Sequence, residues 1–461
     1  MFYKPIITFV VALALVVGSM PLIAQTTTPD KLTTNVPALL VRANQAYAAG
    51  DYLDFRVALE ELHKLRPNNS QYMYQLVIAH ALLDEKSQAY DLMLRMQKQG
   101  LAYDFTESDD TQNIRDTEVF DYVNNLMKTA AEPMGESEAA FVLPQNVKLP
   151  EAISWDESRQ KFLVGTIAEG RILAVDKDGQ VDELIRADDE NGLWAILDIL
   201  VDQPRNRLWV TSASVPDFAH FDPIDKGRSA LFEFNLETLE LIHRYPVPVD
   251  GNSHVLGNMA LGPDGGLYAA DRVLPLIYYK PAGENRLKPV LALRDMVSLR
   301  GLAMQPDGRI MYVAGREMGI MVVDLKARQA RLLEAPATLN LAGIDGLYRV
   351  DNSLVILQNG IMPQRVMRLD LDASGTKIAT VRPLAVAQPE FDFPSFGAIE
   401  GGNLYYFASS QGIGKTGVEK AVTVLRTPLT AGDELVQPDM QQFLKQQAEL
   451  NKQREKEDGN N

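Results

Sequence analysis

Apolar and polar positions follow two different rhythms along this chain, and the change falls near residue 131. Up to Gly100 the apolar residues recur at helical spacing. Ala43, Ala46 and Tyr47 form one stripe, Tyr52, Phe55, Ala58, Leu59 and Leu62 the next, then Tyr72, Leu76, Ala79 and Leu82, then Ala89, Leu92, Met93 and Met96. Gly50-Asp51 and Pro67-Asn68-Asn69 supply stop signals between them. A further capping helix is expected over 117–129. Beyond a Pro- and Gly-containing linker at 131–137, short β-rich runs bounded by turn residues take over.

The clearest β unit is 298–333. An apolar segment at 301–304 ends in Pro306-Asp307-Gly308, and a β-rich run covers 310–314. The polar loop Gly315-Arg316-Glu317 follows, then apolar runs at 319–324 and 330–333. Asp264, Asp307 and Asp351 mark the same turn at intervals of 43 and 44 residues. Four strands repeated every ~40–50 residues are the mark of a β-propeller. Inner-strand signals begin near Ala152, Ile199, Met259, Leu302, Leu347 and Gly397, which predicts six blades. The run 141–147 is expected to give the last blade its outer strand and so close the ring. The predicted fold is mainly β with an α-helical N-terminal domain: a six-bladed β-propeller over 141–429, preceded by helical hairpins over 37–131.

Composition narrows the function. The 461 residues carry a net charge of −16, which argues against a nucleic-acid partner. There is no Cys, so disulfides, thiolate metal sites and Cys nucleophiles are excluded. Residues 1–24 have the layout of a signal peptide, a short positive start followed by an apolar run too short to span a membrane and then small residues. The expected location is therefore secreted or periplasmic, with no integral membrane segment after cleavage. Residues 431–461, rich in Gln, Glu and Lys, read as a charged helical or disordered tail.

Propeller geometry groups the polar residues. If every inner strand runs from the upper face to the lower, residues before inner strands and loops after second strands share the upper mouth. That set holds Glu151, Asp198, Asn258, Arg300 and Asp345, with Glu169, Asp271, Arg272, Arg316, Glu317, Gln358 and Asn359. Two loop histidines, His220 and His254, are expected above the same mouth, where a His beside a carboxylate can act as a general base.

Two resemblances follow. The AxxAYAAGDY and RPNN strings at 43–69, with a 34-residue offset, resemble tetratricopeptide hairpins, which implies an interaction module for a protein or peptide partner. Over about 149–429 the chain resembles the SMP-30/gluconolactonase-like six-bladed propellers. The resemblance rests on Glu151-Ala-Ile-Ser-Trp155-Asp156, on the Pro-Asp-Gly strings of the third and fourth blades, and on Ile344-Asp345-Gly346-Leu347. Ile199-Leu-Val-Asp202 with Arg207-Leu-Trp209 is similar to the royal-jelly branch. It implies a divalent cation, usually calcium, in the channel, and lactone or ester hydrolysis there. Carried over, Glu151, Asp345 and Asn258 are the metal-ligand candidates, and Asp345 with His254 the catalytic ones. Arg300 departs from the pattern, standing where the family has an Asn. Its guanidinium would replace the cation between Glu151 and Asp345, or join Arg272 or Arg316 in holding an anionic ligand. Two functions stay open: a propeller that binds a small molecule or a protein partner, and a metal-dependent lactonase or esterase.

Overall fold

The computed structural model describes residues 25–26, 36–411 and 421–430. The expected signal peptide and the tail lie outside the described residues; just after the former, the short strand at Gln25–Thr26 pairs parallel with Gln329 and Ala330 at the edge of the fourth blade.

Five α-helices come first: α1 (Val36–Ala48), α2 (Tyr52–Leu65), α3 (Ser70–Leu82), α4 (Lys86–Lys98) and α5 (Glu118–Thr129). Local chemistry sets their ends. Gly50, at φ +72°, ends the turn after α1, and the Asp51 carboxylate caps α2 by accepting from Asp54 N–H at 3.1 Å. Asn69 caps α3 and Thr117 caps α5 in the same way. The apolar stripes meet in one core that includes Leu59, Leu62, Met73, Met93 and Phe120.

Six sheets follow, each built on four antiparallel strands, with a fifth short strand added to blades four and five. Their inner strands are Pro150–Asp156, Ala195–Asp202, Leu256–Leu261, Leu299–Met304, Ile344–Val350 and Ser395–Glu400. The sixth sheet takes its outer strand, Glu138–Val142, from the start of the propeller, where it pairs with Thr423–Pro428. The closing strand thus lies slightly before the 141–147 expected. Met134–Gly135 adds a further short strand to the fifth blade.

The propeller core lies between blades. Phe162, Val164 and Leu173 of blade one pack on Phe396, Tyr405 and Phe407 of blade six, and comparable clusters occupy the other five junctions. Each fully buried side chain of this size contributes about 1.5–3 kcal/mol.

All six inner strands carry a bulge at the same place, beside the upper face. The residue opposite no partner is Glu151, Leu197, Arg300, Asp345 and Phe396 in blades one, two, four, five and six, and in blade three the register skips Gly257 together with Asn258. A bulge turns a side chain out of the strand's alternation. Repeated six times, it aims a ring of six positions at the channel axis.

Candidate functional site: the arginine tier of the channel

The channel mouth is built from that ring. Glu151 and Asp345 supply two carboxylates. Arg272, which follows the second strand of blade three, donates Nη1 to Glu151 Oε1 at 2.6 Å and Nη2 to the Leu197 carbonyl at 3.1 Å. Its guanidinium also lies 4.9 Å from the centre of the Phe396 ring. It reaches across because Gly257 has no side chain: a Cβ there would stand 2.2 Å from Arg272 Nε. Arg272 therefore takes the place beside Glu151 that the sequence suggested for Arg300.

Arg300 lies instead on the Asp345 side. Its Nε donates to Ser298 Oγ at 3.0 Å and is 3.8 Å from Asp345 Oδ1. Asp345 is more closely held by Arg316 Nη1 at 3.2 Å and Asn359 Nδ2 at 2.9 Å. Burial and the neighbouring Arg272 charge pull the Arg300 guanidinium below its ordinary range, Asp345 opposing and Arg316 adding to the shift. Three guanidinium groups thus share two carboxylates, and Arg300 is the least engaged.

One step down each strand lies a second tier. Small residues fill it at Ala152, Gly301, Gly346 and Gly397, while Asp198 and Asn258 stand side by side in blades two and three. Both line a cavity of about 460 Å³ in the lower channel, not the mouth itself. Asp198 Oδ2 accepts from Met259 N–H at 2.7 Å. Burial raises its carboxyl to about 7, against the Met259 N–H and Arg272. Asn258 Oδ1 is buried without a hydrogen-bond partner. The Tyr348 ring passes close to Gly346, where a Cβ would lie 2.6 Å from the Tyr hydroxyl, and burial raises that hydroxyl well above its ordinary range.

Other sequence candidates sit elsewhere. His254 is 3% exposed, with Nδ1 at 2.7 Å from Asp271 and Nε2 at 3.0 Å from Asp250. Both ring nitrogens are engaged, so it fastens the loop before blade three rather than facing the mouth. Asp271 is wholly buried beneath it and also accepts the Val255 and Val273 N–H groups. Gln358 is buried, donating to the Asn340 and Ala342 carbonyls and accepting from Arg365 Nε. His220 is exposed, against Phe218.

The helical module walls one side of the mouth. Arg66 pairs with Glu317 at 2.8 Å, Ala102 N–H donates to the Met362 carbonyl, and Gln99 bonds to Asn340 and Arg365. Ala342 and Ile361 of the propeller enter the helical core. A cleft of about 440 Å³ remains at this seam, lined by Ser70, Gln71 and Tyr103 on one side and by Arg316, Asn359 and Met362 on the other. Nothing in the sequence pattern hints at it, because docking depends on loops that carry no periodicity.

The calcium set implied by the resemblance does not fit this donor arrangement. Glu151 is bonded to Arg272, Asp345 to Arg316 and Asn359, and Arg300 stands in the third position. Among the described residues, no three His, Asp or Glu side chains gather as a metal-binding group.

No protein family's sequence model matches the chain, and no curated protein is significantly similar to it in sequence. Solved structures are similar in shape. One is the PQQ-bound aldose sugar dehydrogenase of Streptomyces coelicolor, with TM-score 0.43 and 16% identity over 64% of this chain and 99% of that one. A putative glucose dehydrogenase of Thermus thermophilus gives TM-score 0.44 and 15% identity, over 63% and 99%. A calcium-binding regucalcin of Agrobacterium tumefaciens gives TM-score 0.45 and 15% identity, over 64% and 93%. The six-bladed architecture expected from the sequence rests on this chain's own six sheets, and no chemistry passes from these neighbours to it.

Proposed function

We propose that this chain is an exported binding protein whose propeller mouth holds a small anionic molecule. One observation carries the reading: three guanidinium groups converge on two carboxylates, leaving Arg300 with its nearest carboxylate oxygen at 3.8 Å. A carboxylate or phosphate beside Arg300 completes the charge balance with charge-assisted hydrogen bonds. The seam cleft, which shares Arg316 and Asn359 with the mouth, gives room for the rest of the ligand. The helical module serves as a partner surface as well as a wall; Val41, Tyr47 and Leu53 are large apolar residues exposed on α1 and nearby. Export rests on the character of residues 1–24.

The test is a thermal-shift screen of small carboxylates and phosphates against the protein and its Arg300→Met variant. A native-state ligand at 100 times its Kd adds about 2.7 kcal/mol. A saturable rise in Tm in the unaltered protein that is lost in the variant is expected. An equal rise in both would reject the mouth as the site.

A second reading, a lactone or ester hydrolase, is favoured by Asp198. A carboxyl held at about 7 and lining a cavity has the proton affinity of a general acid or base at neutral pH. Hydrolysis of a lactone panel that disappears in Asp198→Asn, with Tm retained, would establish it; no turnover by the unaltered protein would remove it.

A further inference from the structure

The lower face, opposite the mouth, carries a second pocket, of about 440 Å³, between blades two and three. Its residues come from strand ends and turns of both blades. Arg207 and Trp209 open the second strand of blade two, Tyr245 lies on its outer strand, and Lys280 ends the third strand of blade three.

Lys280 is 5% exposed, yet no carboxylate or carbonyl accepts from its ammonium among the described residues. It lies over aromatic faces instead, 5.1 Å from the Trp209 ring centre and 5.4 Å from that of Tyr245. The one carboxylate lining the pocket is already used: Glu233 accepts from Arg207 Nε at 2.7 Å and from the Tyr245 hydroxyl at 2.6 Å. A second donor is idle as well. The Trp209 indole N–H is buried with no hydrogen-bond partner.

The Trp209 indole N–H is buried, and a buried donor is costly to leave unmet. The aromatic faces attract the Lys280 ammonium but offer it no lone pair. An ammonium held by no protein oxygen and an unpartnered indole N–H, both on residues that line one pocket, suit oxygen acceptors carrying negative charge. We infer that the blade two–three pocket of the lower face is a binding site for a small oxyanion, a carboxylate or phosphate group, seated on the Lys280 ammonium and within reach of Trp209. It is separate from the arginine tier and does not depend on the function proposed for it.

The chain has three tryptophans, so an indole-selective ¹H–¹⁵N TROSY spectrum holds three Nε1–H signals, and Trp209→Phe identifies the relevant one. Titration with inorganic phosphate, and separately with succinate, is expected to move the Trp209 signal saturably in at least one arm. The responding arm tells a phosphate site from a carboxylate site. In Lys280→Gln, with the other two signals in place to show an intact fold, the apparent Kd should rise tenfold or more. In Arg300→Met the Trp209 response should be unchanged. A Trp209 signal that stays still in both arms, or moves equally in Lys280→Gln, overturns the inference; if that variant does not fold, the behaviour of the unaltered protein's Trp209 signal decides alone.

Discussion

Arg272 touches three blades besides its own, through Glu151, the Leu197 carbonyl and the Phe396 ring. Replacing it leaves Glu151 in a channel without its counter-charge. Arg272→Met is expected to destabilise the fold by about 3–5 kcal/mol, the usual cost of breaking a buried ion pair from one side. Arg272→Met with Glu151→Gln should recover much of that in denaturant unfolding. Asp198 brings a pH dependence. Its folded carboxyl titrates at about 7, above the ordinary ~3.9, so the native state binds the extra proton between these values. Its contribution is full below about pH 4 and fades as pH rises through 7. Asp198→Asn keeps an acceptor for Met259 N–H and should show a smaller loss of Tm from pH 5 to pH 8 than the unaltered protein. Several of these residues were legible beforehand, because the repeated turn spacing fixes which position of each blade meets the axis. Glu151, Arg300, Asp345, Arg316 and Asn359 all reach the mouth that way. The pairing was not legible. It turns on the missing side chain of Gly257, and on alternation at strand ends that sends Gln358 inward under the helices while Asn359 faces the mouth.

At the scale of elements, the helices and the propeller are joined by a buried polar knot. Arg365 donates to the Gln99 and Asn340 carbonyls and to Gln358, and burial lowers its guanidinium to about 10. Arg365→Leu removes the donor to Gln358 Oε1 and to the Gln99 carbonyl, while the Asn340 carbonyl keeps Gln358 Nε2, and is expected to cost about 3 kcal/mol or more. Hydrogen exchange should then quicken at 96–102 and 359–365 while blades one and two keep their protection; unchanged exchange at the seam would show that the apolar contacts of Ala342 and Ile361 alone hold it. The helices themselves were plain in the sequence, since their stripes recur every three or four residues and their caps are local. Where they dock was not, because Gln99, Asn340 and Arg365 are more than two hundred residues apart at the extremes and follow no shared pattern.

The whole molecule is tied into one body by the segment between helices and propeller. Residues 134–135 pair with blade five and 138–142 complete blade six, while the helices rest on blades four and five. Calorimetry is expected to show a single transition, and two resolved peaks would mean that the helical module unfolds by itself. The closing strand also sets a timetable. The Arg426–Glu138 ion pair joins residues 288 positions apart, so the strand at 138–142 leaves the ribosome long before its partner at 423–428 has been made. Until the last turn of synthesis, the ring has two unpaired edges ready to pair with any other strand. A message cut short anywhere before the codons for 423–428 therefore yields not a slightly smaller protein but an open sheet, and the cell's chaperones and proteases must deal with every such product.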